Sequence, residues 1–351
     1  MDSATILAER LRRQRLIDPL DEPDEYIELF RLLQPVSPVA MTMPGDPPKL
    51  VHRTSFDNGA IADRMREERL MVKGRFLGGG IGYVLTEDLE LYANAFCRRL
   101  SGLNETQEIV LDAVVRSETL TPRQMKEETG LLNKNIMPAL HRLQEAFLVY
   151  EDQVDSDWER NWYEFAAEWP EVVLNEDRRE EAVTQVLLRF IQGHVFATME
   201  QLKDWSRLPV KLLKSVISNM EESGVIVPKA VEGIGEGWIR DEDADLKPCE
   251  APPSVFMIHR ADILAKSHNS ELKRKLGGQE VLQYLLIDGA FKGAVLGHWR
   301  IGPHDVDDIV VEVPAKERKD RREEILNAVA WGYSPPHSHI LRYDGVEVDI
   351  K

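Results

Sequence analysis

The chain has only two cysteines, Cys97 and Cys249, in 351 residues. Two thiols cannot build a disulfide framework or a four-cysteine zinc site. No apolar run approaches the roughly 20 residues that a membrane-spanning helix needs. The first twenty residues scatter charges through their apolar part, so they do not read as a signal peptide. These absences lead to the expectation of a cytosolic protein. Basic residues are also scarce: 44 Lys and Arg stand against 61 Asp and Glu, a formal net charge of −17. Any surface that grips a polyanion must therefore be local. Apolar residues, at 43%, are plentiful enough for several cores.

An internal repeat organises the middle of the chain. Residues 107–149 align without a gap onto 184–226, an offset of 77. Ile109, Val110, Leu111 and Val114 fall on Val186, Leu187, Leu188 and Ile191. Leu131, Ile136, Leu140, Leu143 and Val149 fall on Leu208, Leu213, Ile217, Met220 and Ile226. Each copy reads as three helices followed by extended segments. In the first copy Thr121 is the expected N-cap, Pro122 the first helical residue and Gly130 the stop. "VYED" and "WYEFA" flank the polar stretch 153–161 as two strands. Short helix, turn, longer helix and hairpin is the order of a winged helix-turn-helix. In the second copy Gly233, Gly235 and Gly237 supply the hairpin turn.

A third, more divergent copy is expected at the start of the chain. "NGAIADRMREERLMV" has Ile61, Met65 and Leu70 on one face and Arg64, Arg66 and Arg69 on the other. "KGRFLGGGIGYVLT" follows as a hairpin with a glycine turn, and "EDLELYANAFCRRL" as a further helix. Beyond about residue 250 the pattern changes to short β-rich runs with one helix over 316–331. The expected fold class is α+β: tandem winged helix-turn-helix modules, then a C-terminal β-rich, barrel-like domain. The expected boundaries are 1–104, 105–181, 182–250 and 251–351.

This order resembles the winged-helix DNA glycosylases, the family of azinomycin-resistance and crosslink-unhooking enzymes. Four stretches carry the resemblance: "LFRLLQPVSP", "REERLMVKGRFLGGGIGYVLTEDLELY", the module at 105–150, and "QYLLIDGAFKGAVLGHWRIG". The resemblance implies excision of alkylated or crosslinked purines from duplex DNA by hydrolysis of the N-glycosidic bond, without a cofactor or metal. It implies that a Gln-x-Gln pair positions the hydrolytic water. Glutamine suits that task because its amide both donates and accepts hydrogen bonds. Gln34 matches the first glutamine and is the expected catalytic residue. Val36 stands at the second position and Ser37 where the family often has Asp, so half of the water clamp is missing. The other reading of Gln34 is local: it satisfies backbone groups where the helix ends before Pro35.

Acidity is uneven along the chain. Residues 151–181 hold twelve acidic residues against three basic, and 18–34 hold six against one; both are expected to be solvated faces turned away from DNA. Arg10, Arg12, Arg13 and Arg15 form one basic cluster, and Arg64, Arg66, Arg69, Lys73 and Arg75 another. With Lys134, Asn135 and His141 on one recognition helix and Lys211 and Lys214 on the next, the second cluster gives the expected DNA contacts. "GGGIG" lacks the following helix of a dinucleotide fingerprint. His337 and His339 have no third ligand at metal-binding spacing. Duplex DNA is the expected partner and no membrane is, with a nucleoid-associated cytoplasmic location. The alternative is a non-catalytic winged-helix regulator or protein-interaction scaffold.

Overall fold

Thr121 and Thr198 hold the same place in the two repeats, and each starts a helix by the same chemistry. The threonine hydroxyl accepts the backbone N–H of Gln124 or Gln201, and that glutamine side chain bonds back to the threonine N–H. The reciprocal cap satisfies two donors that the first helical turn leaves open. A computed structural model describes residues 2–39, 48–152 and 160–348.

The first segment contains α1 (Ser3–Arg13), α2 (Tyr26–Leu33), α3 (Asn58–Glu67), β1 (Met71–Arg75), β2 (Ile81–Leu85) and α4 (Leu89–Phe96). The second contains α5 (Glu105–Ser117), β3 (Thr119–Leu120), α6 (Pro122–Thr129), α7 (Asn133–Glu145), β4 (Val149–Glu151), β5 (Trp162–Glu164) and α8 (Phe165–Glu168). The third contains α9 (Arg179–His194), β6 (Phe196–Ala197), α10 (Met199–Ser206), α11 (Val210–Glu222), β7 (Ile226–Val231) and β8 (Gly235–Arg240). Helices α10 and α11 have the same lengths as α6 and α7, so the repeat is in register through the helices. The expected loop between β4 and β5 falls largely outside the described residues.

The sheets repeat as well. The strand order is β3-β5-β4 in the second segment and β6-β8-β7 in the third. In the first segment β2 pairs with β1, and on its other side with a single residue: Val36 and Tyr83 form an isolated antiparallel bridge. Val36 thus stands where β3 and β6 stand in the other two. Each segment also turns from the helix before its hairpin into the first hairpin strand through a residue of positive φ: Arg69 at 56°, Phe147 at 55° and Gly224 at 73°.

The remaining chain forms β9 (Val255–His259), α12 (Ile263–Ser267), α13 (Asn269–Leu276), β10 (Val281–Ile287), β11 (Ala290–Leu296), β12 (Asp308–Val311), α14 (Ala315–Asp320), α15 (Arg322–Ala330), β13 (Arg342–Tyr343) and β14 (Val346–Glu347). These six strands make one sheet in the order β14-β13-β12-β11-β10-β9. The order is linear, and among the described residues no pairing joins its ends. The sheet is therefore open, not the barrel-like closure expected from sequence. The single helix expected over 316–331 is two helices, broken at Arg321, whose guanidinium turns to Asp288, Glu324 and the Ser254 carbonyl.

Cores do not follow the segments one to one. The second segment has its own, built on Val110, Met125, Leu140, Leu143 and Trp162. The first and third share a larger one, in which Phe30, Leu33, Met71, Tyr92 and Phe96 pack with Leu187, Phe190, Ile191 and Trp205, and to which the second adds Phe147, Tyr150, Phe165 and Trp169. Helix α9 is the common wall, packed by α2 and α4 of the first segment and by α11 of the third. The acidic stretch from 151 is not solvated throughout. Glu151 is buried, 2.8 Å from Lys73 and 3.2 Å from Arg160.

Candidate functional site

Gln34 follows the last residue of α2 and is 2% exposed. Its Nε2 donates to Asp88 Oδ2 at 2.6 Å, and its Oε1 accepts the Leu85 N–H at 2.9 Å. Its carbonyl accepts the Tyr92 hydroxyl at 3.3 Å. Burial of that phenol pushes its pKa up, so it stays a donor. Asp88 is the centre of the cluster. Arg31 reaches its Oδ2 at 3.0 Å and Arg189 its Oδ1 at 2.9 Å. The sequence reading missed Asp88 and Arg189. The stretch "TEDLEL" carried part of the resemblance, but an acidic residue opening a helix is ordinary helix-start chemistry, so Asp88 was given no role of its own.

A cleft of about 550 Å³ lies against this cluster. Ile27, Met65, Leu70, Leu85 and Val172 supply its apolar wall, and Thr86, Glu87, Glu90 and Glu171 its polar part. Gln34 is not on the lining; it sits behind Leu85, one hydrogen bond away. Glu87 pairs with Arg31, and Glu90 with Arg178 at 2.5 Å. Val36, 8% exposed, packs into the shared core and bonds both its backbone groups to Tyr83. Ser37 Oγ donates to the Ile81 carbonyl at 2.6 Å and accepts from Lys266 Nζ.

The expected DNA contacts divide into two sets. Arg64, Lys134, Lys211 and Lys214 are exposed, and their cationic groups have no partner among the described residues. Asn135 is exposed beside Lys134 in a shallow polar cleft at the starts of α5 and α7. The other set is engaged internally. Arg66 bonds Asp63 and the Tyr83 hydroxyl. Arg69 pairs with Glu168 at 2.6 Å and lies over the Trp169 ring. Lys73 is 3% exposed. Arg75 donates to Gln144 Oε1 and the Gly79 carbonyl, both at 2.9 Å. His141 is half-buried near Trp162, and burial lowers its pKa. The N-terminal arginines are likewise occupied: Arg10 is buried on the carbonyls of His194 and Phe196, Arg13 holds Asp243, and Arg15 pairs with Glu25.

Among the described residues there is no cluster of His, Cys, Asp or Glu suited to a metal, and no helix long and apolar enough to cross a membrane. No curated protein matches the sequence. The fold is similar to that of the DNA glycosylase AlkZ of Streptomyces sahachiroi, with a TM-score of 0.69 over 98% of this chain and 99% of that one. Sequence identity is 14%, so that likeness speaks for the fold alone. The family model described as DNA glycosylase AlkZ-like matches residues 50–270, a span that leaves out Gln34. By that match, which takes in more than half of its length, the chain belongs to the AlkZ-like DNA glycosylase family.

Proposed function

We propose that the protein serves DNA repair by excising alkylated purines, gripping duplex DNA with its three segments, read as tandem winged helices. The observation that carries this reading is the cleft beside Gln34 and Asp88. Its wall is apolar, and its polar part carries Glu171, which has no partner among the described residues, beside Glu87 and Glu90, each held by an arginine. A purine alkylated at N7 or N3 is flat, largely apolar and positively charged. The cleft complements such a base and disfavours a phosphate. A cationic base is already a good leaving group, so water positioning and electrostatics carry the reaction. Gln34 is the proposed water-positioning residue. Its Oε1 uses one lone pair on Leu85 N–H, and a carbonyl oxygen has a second. Arg64, Lys134, Asn135, Lys211 and Lys214 are the proposed phosphate and groove contacts. The internally paired cations Arg69, Lys73 and Arg75 hold the first module to the second instead, and Arg66 is tied within the first.

Two observations favour a second reading, a non-catalytic relative that binds DNA. Val36 has no polar atom where the family's second glutamine belongs, and Gln34 is buried with both ends of its amide engaged. Release of free N7-methylguanine from alkylated duplex decides between them. The first reading expects slow release by the wild type, slower by Gln34→Ala, and equal or faster release by Val36→Gln. Loss of one positioning group corresponds to ~10²-fold, by analogy with removal of one oxyanion-hole donor. Full activity in Gln34→Ala removes Gln34 from the chemistry. Duplex binding with no release at any enzyme excess selects the second reading.

A further inference from the structure

Ser37 and Lys266, 229 residues apart, meet where the first segment, the third segment and α12 converge. The single proton of the Ser37 hydroxyl goes to the Ile81 carbonyl, so the serine offers Lys266 only a lone pair. That contact leaves the ammonium charge uncompensated. Asp262 is within electrostatic reach, but Arg53 already holds both of its oxygens, at 2.7 and 3.1 Å. A second cation, Arg207, lies close enough to oppose the first. Two of the three Lys266 ammonium protons have no partner among the described residues.

Arg207 is held in place at a cost. It ends α10 with φ 57°, in the left-handed region, and the matching residue of the second segment is Gly130 with φ 70°. Its side-chain stem lies against Gly78, where an added Cβ would stand 2.6 Å from Arg207 Cβ. Gly78 therefore has no room for a side chain while Arg207 is in place. Strain of this kind concentrates at functional sites.

We propose that Lys266 and Arg207 form a binding site for a phosphate oxyanion, and that its ligand is a backbone phosphodiester of DNA. An oxyanion supplies acceptors for the two open ammonium protons and a negative charge between two positive ones. Burial pushes the Lys266 ammonium down to about 8, and a bound phosphate reverses that push. The site rests on the DNA-acting reading only for the source of the phosphate.

Two measurements test it. The first follows the Lys266 side chain by NMR in the wild-type protein, its resonance assigned through Lys266→Arg. Its titration midpoint is read alone, with inorganic phosphate, and with a short undamaged duplex. The second follows duplex affinity against salt for wild type, Lys266→Gln, Lys266→Arg and Arg207→Gly, with urea midpoints confirming folding. The expected result is a midpoint raised by duplex, binding about tenfold weaker in Lys266→Gln, and a salt dependence shallower by about one ion. Lys266→Arg keeps binding near the wild-type value. A midpoint raised by phosphate in a protein that does not bind duplex supports the site and removes DNA as its source. A midpoint unmoved by either ligand overturns the site. Lys266→Gln binding duplex with wild-type affinity and salt dependence also overturns it, while leaving the DNA reading intact.

Discussion

The Lys73 ammonium lies 2.8 Å from Glu151 Oε2, joining β1 of the first segment to β4 of the second. Burial alone would raise the Glu151 carboxyl, but Lys73 and Arg160 outweigh it and hold the group below its ordinary range. Breaking one side of a buried pair leaves an uncompensated charge, at a cost of about 3–5 kcal/mol. Glu151→Gln is expected to lose about 3 kcal/mol in urea denaturation. Replacing both partners, Lys73→Met with Glu151→Leu, is expected to recover most of that loss. A double variant no better than the single one would show that the pair acts mainly through Arg160.

Acid is expected to unfold the protein from an unusually mild pH. Burial lowers His268 and His259 to about 4 and His194 well below its ordinary value. All three folded pKa values lie below the unfolded value near 6.5. The unfolded chain therefore binds more protons between about 4 and 6.5. The histidines' contribution is complete above 6.5 and is lost as pH falls through that window. Each histidine contributes a slope of about 1.4 kcal/mol per pH unit. Urea midpoints measured across the window test this. A His268→Gln variant should flatten the slope by about one proton, and an unchanged slope would remove His268 from the account.

Arg207→Gly is expected to stabilise the protein by about 1 kcal/mol, because it relieves a left-handed non-glycine residue. The same variant is expected to bind duplex more weakly. Gain in one property with loss in the other is the signature of a residue kept for binding. Weaker binding without the gain in the urea midpoint would mean that the backbone there is unstrained.

The exposed and the engaged cations are expected to respond differently to charge reversal. Lys134→Glu, Lys211→Glu and Lys214→Glu should weaken duplex binding and reduce its salt dependence with urea midpoints nearly unchanged. Lys73→Glu should unfold the protein, since it places a carboxylate against buried Glu151. Intact stability in Lys73→Glu would contradict the burial of that pair.

Gln34→Ala is expected to lose about 2 kcal/mol in the absence of any DNA, because Leu85 N–H and Asp88 both lose a partner. Activity of that variant is therefore to be compared at a temperature where it remains folded.

The helices of the second and third segments were legible because their apolar spacing, caps and stops are local signals. Thr121, Pro122 and Gly130 sit where the sequence placed them. The C-terminal sheet was legible as β-rich, but its openness depends on which strands pair, and short strands carry no such information. The charge clusters misled for a different reason. Arg10, Arg66, Lys73 and Glu151 look like surface residues until their partners, more than a hundred residues away for Arg10, are known. Gln34 was singled out by resemblance, while its partners Asp88 and Arg189 needed the fold to bring them together.

Helix α9 serves two segments at once, while the second segment has a core of its own and lends only Phe147, Tyr150, Phe165 and Trp169 to the shared one. The three segments therefore do not make three equal units of opening and closing. The first and third should exchange their amide hydrogens together, as one slow unit, with the second opening separately. Kinship in sequence and cohesion in the folded state divide this chain differently: of the two segments that resemble each other in register, the third is fused to the first through α9, and the second is held to it by a few aromatics and the Lys73–Glu151 pair.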